Sequence, residues 1–282
     1  MKKNILSLAM VGMMAVSLAG CGQDAKETTA AAEEITEAEV SEAAPSEAAG
    51  ATFTVGFDQD FPPMGFVGDD GEYTGFDLEL AEEVAGRLGL TFVPQPIAWD
   101  AKDMELEAGT IDCIWNGFTM NGREDGYTWS EPYMDNSQVF VVAADSGITS
   151  VADLAGKVVE VQADSSAEAA LKENAELTAT FSILQTVPDY NTAFMDLEMG
   201  AVDAIAMDVI VAGYQIEQRE NGDSFMILEE SLASEEYGIG FKKGNDELRD
   251  QVQKTLEEMA ADGTLEEISN KWFGRDVTTI GK

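Results

Sequence analysis

The residues best suited to chemistry in this sequence follow two predicted strands. Asp208 ends the strand predicted at 202–207, beside apolar Met207 and Val209. The strand predicted at 111–115 is followed by four further candidates: Asn116, Gly117, Phe118 and Thr119. Ligands of open α/β sheets bind beyond the carboxyl ends of the strands, so these residues are candidates for a binding site. A carboxylate there can hold an ammonium group; alternatively, Asp208 only caps the helix that follows.

Arg123 is the candidate for the opposite charge. Basic residues are scarce, with 16 Lys and Arg against 54 Asp and Glu, yet Arg123 closely follows a strand end. Its guanidinium can meet a carboxylate with two parallel hydrogen bonds. The alternative is a surface arginine paired with Glu124 or Asp125.

A predicted helix start at Ser165 and Ser166 offers a site for an anion. Ser165 and Glu168 have the spacing of a capping box. The first turn of a helix exposes unpaired N–H groups and a partial positive charge, and both suit an anion. Ordinary capping without any ligand explains the same spacing.

Aromatic side chains and one further acid complete the candidate site. Phe61, Trp99 and Phe118 lie just after predicted strands or in loops, and Asp58 ends the first strand. Aromatic walls around a few fixed polar groups are typical of a small-ligand pocket. Core packing is the alternative for each of these rings.

The composition excludes several other classes of function. A net charge of −38 repels nucleic-acid phosphates and anionic lipid head groups. The sequence has no histidine, which excludes a Ser-His-Asp triad and a histidine-ligated zinc. Its two cysteines, Cys21 and Cys113, cannot supply the four thiolates of a cysteine-only metal site, and we expect no cofactor.

The elements that must position these residues form two similar α/β units. Phe53–Phe57 is predicted as a buried strand, 76–89 as a helix with one apolar face, and a second strand begins at Thr91. Strand, helix and strand at this spacing favour a parallel sheet. The pattern at 104–114 recurs in the same register at 195–205, each copy being a helix end, a glycine and a short strand. We therefore predict two related lobes.

The N-terminal segment is typical of an exported protein. Two lysines precede the apolar run Ile5–Leu18, which is too short to span a bilayer comfortably, so 1–20 is predicted as a signal peptide. The small residues before Cys21 resemble the lipobox of bacterial lipoproteins, which implies cleavage before Cys21 and a lipid on its sulfur. The alternative is an uncleaved anchor helix. Residues 21–50, rich in Ala and Glu without aromatic residues, predict a flexible tether.

Short motifs along the body point to one known family. In order they are Val55–Asp58 with Phe61–Phe66, Gly75–Leu80, Gly109–Asp112, Arg123 with Trp129–Tyr133, Asp153–Lys157, Asp203–Asp208, Tyr237–Gly240 and Lys271–Gly274. Together they resemble the extracellular solute-binding proteins of amino-acid ABC transporters, the polar amino-acid family. The resemblance covers about residues 52–275, and the order of the motifs makes it specific.

The resemblance implies a type II periplasmic-binding-protein fold of the α/β class. Two lobes, joined by two crossovers that form a hinge, would close on one amino acid. Lobe 1 would comprise 51–135 and 237–282, and lobe 2 would comprise 138–234. Each lobe would be a mainly parallel sheet flanked by helices.

The resemblance also implies a role for each candidate residue. Arg123 would clamp the ligand α-carboxylate, and Asp208 would accept the α-ammonium group. Thr119 and Gly117 would supply hydroxyl and main-chain contacts, and Ser165 and Ser166 would contribute the start of a helix. Trp99 and Phe61 would form aromatic walls, and Asp58 would reach the ligand side chain.

Two departures from the family pattern concern the carboxylate end of this site. The stretch from Thr119 to Arg123 is shorter than usual, with Asn121 and Gly122 forming a turn. Asp164 stands where glycine is common. An acid there would repel a ligand carboxylate unless it points to solvent.

The implied function is capture of an amino acid, without enzymatic activity, and its delivery to the permease of an ABC transporter. We expect a monomer, held at the outer face of the cytoplasmic membrane by the lipid on Cys21. Polar amino acids are favoured, with glutamine, a basic amino acid and cystine all open. The rival classes are a ligand-sensing lipoprotein without transport, and a dehydratase-like enzyme on the same scaffold with Asp58 or Asp208 as general base.

Overall fold

The computed structural model describes residues 50–282, in which strands alternate with helices. The strands are β1 Thr52–Phe57, β2 Asp60–Phe61, β3 Gly65–Val67, β4 Tyr73–Thr74, β5 Thr91–Pro96, β6 Cys113–Thr119, β7 Thr128–Trp129, β8 Met134–Ala143, β9 Val158–Gln162, β10 Ile183–Val187, β11 Ala204–Asp208, β12 Phe225–Ile227 and β13 Ala233–Phe241. The helices are α1 Phe76–Leu88, α2 Lys102–Ala108, α3 Ser166–Glu173, α4 Ala175–Thr178, α5 Tyr190–Glu198, α6 Val209–Glu217, α7 Asp246–Asp262 and α8 Thr264–Phe273.

The predictions for the N-terminal segment concern residues that the structure does not describe. The signal peptide, the lipidated Cys21 and the tether up to residue 49 lie outside the described part of the chain. Within residues 50–282, no helix combines the length and the apolar character needed to cross a membrane.

Ten strands form one sheet in the order β10-β9-β11-β8-β13-β6-β1-β5, with β12 beside β8 and β7 beside β13. The triads β5-β1-β6 and β10-β9-β11 are parallel. Strands β8 and β13 join the two triads through antiparallel pairing. In both triads the first strand in sequence lies in the middle, so the predicted repeat, which covers α2 to β6 and α5 to β11, falls on equivalent elements.

Apolar periodicity in the sequence matches the two longest helices, α1 and α7. In α1, Leu80 and Val84 are buried, and the helix ends at Gly89, which adopts the left-handed conformation with φ 70°. In α7, Val252 and Leu256 are buried, and the helix ends at Gly263 with φ 88°. Glycine is the residue that adopts this conformation most easily, so each helix ends where the sequence indicates.

The prediction that β6 ends at residue 115 is wrong. The strand continues to Thr119, which pairs with Tyr237 of the antiparallel strand β13. The ladder is irregular, because Gly117 has φ 56° and the register of β13 shifts between Gly238 and Gly240. The segment 116–119 therefore lies inside the sheet rather than in a loop after it.

Candidate functional site

A small cavity, with about 270 Å³ of empty space, lies where the carboxyl ends of strands from both triads meet. One side is formed by Phe61, Trp99, Asn116, Gly117, Thr119 and Arg123. The other side is formed by Gln162, Ser165, Ser166 and Asp208. The cavity thus brings together residues that are far apart in the sequence and that include one acid and one guanidinium.

Asp208 provides the acidic end of the cavity. It is the last residue of β11 and stands just before α6, but its side chain makes no capping hydrogen bond. Its Oδ1 instead accepts hydrogen bonds from Asn136 Nδ2 at 2.7 Å, Gln138 Nε2 at 2.7 Å and the Tyr237 hydroxyl at 2.6 Å. Burial, together with the neighbouring Glu235, raises the pKa of Asp208. This carboxyl is held by neutral donors.

Glu235 is a second buried acid, and the sequence analysis missed it. Its Oε1 accepts hydrogen bonds from Asn136 Nδ2 at 2.6 Å, Gln138 Nε2 at 2.6 Å and Thr119 Oγ1 at 2.9 Å. Only a weak signal in the sequence indicates Glu235. Alternation along β13 places it on the same face as the buried Tyr237 and places the exposed Glu236 on the opposite face.

Arg123 provides the cationic end. Its Nη1 donates to the backbone oxygen of Thr119 at 3.2 Å and its Nη2 to that of Asp164 at 3.4 Å. The guanidinium also lies 5.2 Å from the centre of the Phe118 ring. Among the described residues Arg123 forms no salt bridge, so it is not the surface arginine paired with Glu124 or Asp125.

The two serines at the start of α3 have different partners. Ser165 Oγ accepts from the Glu168 backbone N–H at 3.1 Å, which is ordinary capping. The Glu168 carboxylate accepts from the backbone N–H of Asp164 at 2.8 Å, one residue before the position that a capping box uses. Ser166 Oγ lies 2.9 Å from Gln138 Nε2 and so joins the acidic end.

Lys102 neutralises Asp164, the acid that replaces the usual glycine. Asp164 has φ 58°, and its carboxylate forms an ion pair with Lys102 of α2. The Lys102 side chain is only 1% exposed. Burial lowers the pKa of Lys102, and Asp164 opposes that change. The pair connects the two halves of the sheet and removes the expected repulsion.

Asp58 and Phe118 do not line the small cavity. Asp58 Oδ2 accepts from Gln162 Nε2 at 2.6 Å, so Gln162 stands between this acid and the cavity. Burial raises the pKa of Asp58 to about 6. Phe118 packs against other aromatic rings, with its centre 4.9 Å from Trp129 and 5.6 Å from Trp99. Core packing therefore describes Phe118.

A second, wider cavity adjoins the first. It has an empty volume of about 880 Å³ and shares Trp99 with the small cavity. Four acids line it: Asp58, Asp60, Asp100 and Asp189. Its lining comes from both halves of the sheet, and Asn191 Nδ2 donates to Asp60 Oδ1 across the boundary at 2.9 Å.

Asp77 positions the main chain of the cavity wall. Its Oδ2 accepts from the Gly117 backbone N–H at 2.6 Å and from the Tyr133 hydroxyl at 2.8 Å. The carboxyl is fully buried, and this burial raises its pKa to about 7. Asp77 thus holds Gly117 in its left-handed conformation without lining the cavity itself.

Comparison with known proteins places the chain in a family. Residues 53–275 match the bacterial extracellular solute-binding proteins, family 3. The chain is 34% identical over 230 residues to the L-cystine-binding protein TcyJ of Escherichia coli (strain K12), covering 80% of this chain and 84% of that protein. It is 30% identical over 281 residues to the L-cystine-binding protein TcyA of Bacillus subtilis (strain 168), covering 99% and 100%.

A solved structure is similar as well. It is an ABC uptake transporter substrate-binding protein from Streptococcus pneumoniae with bound histidine, with a TM-score of 0.77 and 37% identity, covering 81% of this chain and 94% of that one. The chain belongs to the bacterial extracellular solute-binding proteins, family 3. The resemblance inferred from the sequence is confirmed, as is the mixed α/β fold of type II periplasmic binding proteins.

The buried Asp77 generates a prediction about stability and pH. Its pKa is about 7 in the folded protein against an ordinary value of 3.8, so the folded chain binds the extra proton between these values. The stability that this proton provides is fully present below the ordinary value and is lost as the pH rises through the folded value. Between about pH 5 and pH 7, we expect Asp77 to account for a loss of about 2–3 kcal/mol.

The measurement is urea unfolding of the ligand-free protein over this pH range. Asp77→Asn should decline less steeply than the wild type, whereas Asp145→Asn, at an exposed position, should follow the wild type. Identical pH profiles for wild type and Asp77→Asn would contradict this account of the carboxyl.

Proposed function

We propose that this protein captures one α-amino acid in the small cavity and delivers it to the permease of an ABC transporter. The observation that carries the proposal is the pair of opposite charges on the cavity wall. Among residues 50–282, Arg123 meets only carbonyl oxygens and a ring, and Asp208 accepts only from neutral donors. A zwitterion supplies the missing partner for each group: its carboxylate for the guanidinium and its ammonium for the carboxyl.

Selection for α-amino acids follows from the cost of leaving a buried charge unpaired. A ligand that lacks the ammonium group would fill the cavity but leave Asp208 without a cation, and a ligand that lacks the carboxylate would do the same to Arg123. Removing one partner of a buried charge pair costs about 2–5 kcal/mol, which applies to Asp208; the half-buried Arg123 keeps contact with water, so the cost there is smaller. Simple acids should therefore bind at least tens of times more weakly than the amino acid, and amines should lose less affinity.

Closure of two lobes would couple binding to delivery. We assign lobe 1 to 51–135 and 237–282 and lobe 2 to 138–234, with the hinge in β8 and β13. The ligand would bridge Arg123 of lobe 1 and Asp208 of lobe 2. Because it contacts both lobes only when they meet, it favours the closed state by differential affinity.

L-Cystine is the ligand that we propose. Two relatives are L-cystine-binding proteins, which supports this choice over glutamine or a basic amino acid. The α-amino and α-carboxyl groups of one half would occupy the small cavity, and the other half would extend past Trp99 into the wider one. There its second ammonium group would lie among acids that include Asp58 and Asp189.

The remaining parts of the proposal concern location and rivals. The protein would be a monomeric lipoprotein, released from its signal peptide and anchored through Cys21 at the outer face of the cytoplasmic membrane. A sensing lipoprotein would bind the same ligand without a permease. A dehydratase-like enzyme would need a free general base, whereas Asp208 and Asp58 both accept hydrogen bonds from amide side chains.

Ligand binding by charge-deletion variants tests the proposal. After unfolding and refolding to remove any bound molecule, L-cystine should raise the melting temperature of the wild type by mass action. Arg123→Met and Asp208→Asn should each weaken binding about 30-fold or more in calorimetry.

Matched controls are Arg275→Met and Asp145→Asn, which make the same changes at exposed positions. Both should bind like the wild type. Failure of every α-amino acid to bind, or normal binding by both cavity variants, would refute the proposed function. Product analysis of the bound ligand after long incubation separates binding from turnover, since we expect the amino acid to be recovered unchanged.

The Lys102–Asp164 ion pair generates a prediction about ligand release. Because it joins the two proposed lobes beside the cavity, its loss should favour the open state. Lys102→Met should accelerate dissociation about tenfold with a smaller change in the association rate. Stopped-flow fluorescence of Trp99 measures both rates.

The control is Lys172→Met, which removes an exposed intrahelical pair with Glu168 and should leave both rates unchanged. Equal dissociation rates for the Lys102 variant and the wild type would contradict the prediction.

A further inference from the structure

Two buried acids lie side by side where β8 and β13 pass between the triads. Asn136 Nδ2 donates to Asp208 Oδ1 at 2.7 Å and to Glu235 Oε1 at 2.6 Å. Gln138 Nε2 donates to the same two oxygens at 2.7 and 2.6 Å. Since both carboxyl oxygens are within hydrogen-bond distance of the same two nitrogens, the carboxyl groups are close neighbours. We call Asp208 and Glu235 the acid pair.

The other groups that face the acid pair carry no positive charge. Tyr237 of β13 donates to its aspartate at 2.6 Å, and Thr119 of β6 donates to its glutamate at 2.9 Å. Ser166 of α3 lies 3.5 Å from the glutamate, and the buried Tyr190 of α5 is close to both acids. Within residues 50–282 neither acid forms a salt bridge.

Two adjacent carboxyl groups cannot both ionise at low cost when they are buried and no cation is near. One of the two then keeps a proton, which leaves a single negative charge on the pair. Burial and the neighbouring glutamate both raise the pKa of Asp208, consistent with this behaviour. The amide oxygens of Asn136 and Gln138 have no hydrogen-bond partner, because the two amides direct their N–H groups to the acids.

On the basis of the proposed function, we propose that the acid pair stores one proton in the empty site and releases it when the α-ammonium group of the ligand binds. Before binding, the pair carries one negative charge and one proton. After binding, it carries two negative charges beside one ammonium group, and the proton has left to solvent. Glu235 does not line the cavity, so it is a positioning residue that acts through Asp208.

The structure provides a route for this proton that does not pass the ligand. Glu235 lines a separate, shallow cavity together with Asp135, Ser137, Ser234 and Glu236. This shallow cavity shares no residue with the small ligand cavity, and Glu235 is 7% exposed. A proton can therefore reach water by way of Glu235 without passing the ligand.

Proton release makes ligand affinity depend on pH in a defined direction. Below the pH range in which Asp208 loses its proton, binding must expel one whole proton, so the Kd should fall up to tenfold for each unit of rising pH. Above that range Asp208 is already ionised and the Kd should level off. Without Glu235, Asp208 would lose its proton at lower pH, because the neighbouring charge would no longer raise its pKa, although burial, the larger cause, would still do so.

Titration calorimetry of the full chain with L-cystine, with L-alanine as a second probe, tests the proposal. Binding enthalpies in two buffers of different ionisation enthalpy give the number of protons released per ligand. At about pH 6 we expect the wild type to approach one proton with L-alanine and Glu235→Gln to release clearly fewer, with the pH-dependent range of the Kd moved to lower pH in the variant. Glu236→Gln, on the exposed neighbour, should behave like the wild type.

Asp58→Asn tests a second source of protons, because burial also raises the pKa of Asp58, which lines the wider cavity. With L-alanine, whose side chain carries no charge, this variant should release as many protons as the wild type. Binding by the wild type without proton release, or release that persists in Glu235→Gln and disappears in Asp58→Asn, would overturn the inference and leave the proposed function standing. If no α-amino acid binds at any pH, both proposals fail. The wild-type measurement decides the question even if Glu235→Gln does not fold.

Discussion

The structure depends on one electrostatic constraint: a charge that is removed from water needs an opposite charge or several hydrogen bonds. At the acidic end of the small cavity, hydrogen bonds alone meet this need, and they come from Asn136, Gln138 and Tyr237. At the cationic end, Arg123 has only backbone oxygens and a ring. The proposed ligand, which carries both charges at a fixed separation, would supply the missing partner at each end.

The repeated architecture explains why this cavity lies where it does. Each parallel triad ends in polar residues at its carboxyl edge, and β8 and β13 bring the two edges together. Asp208 comes from one triad, Thr119 comes from the other, and Glu235 comes from a strand that connects them. The acidic end is therefore built at the junction itself, where a change in the angle between the triads would alter its hydrogen bonds directly.

The sequence predicted the elements better than it predicted the side-chain contacts. Helices α1 and α7 followed from apolar periodicity and from the glycines that end them, and the strand-end rule together with the family resemblance indicated Asp208 and Arg123 as ligand groups. The structure puts both on the cavity wall, and their roles stay predictions. Alternation along a strand did not reveal that Phe118 turns away, because the left-handed Gly117 interrupts it.

Contacts between distant segments were beyond the reach of sequence patterns. Lys102 meets Asp164, and Gln162 meets Asp58, only because the two halves of the sheet come together. Glu235 looked like one more acid in a chain with 54 Asp and Glu. Its importance depends on its position opposite Asn136 in the β8–β13 ladder, and strand periodicity does not determine such a register.

The central claim is that the two charged ends of the cavity hold the two charged groups of one α-amino acid. A crystal structure of the complex with L-cystine tests this claim most directly. Our account predicts an α-ammonium nitrogen about 2.7–3.2 Å from the Asp208 carboxylate and an α-carboxylate at a similar distance from the Arg123 guanidinium. A ligand that lies only in the wider cavity, or that has its two ends reversed, would contradict it.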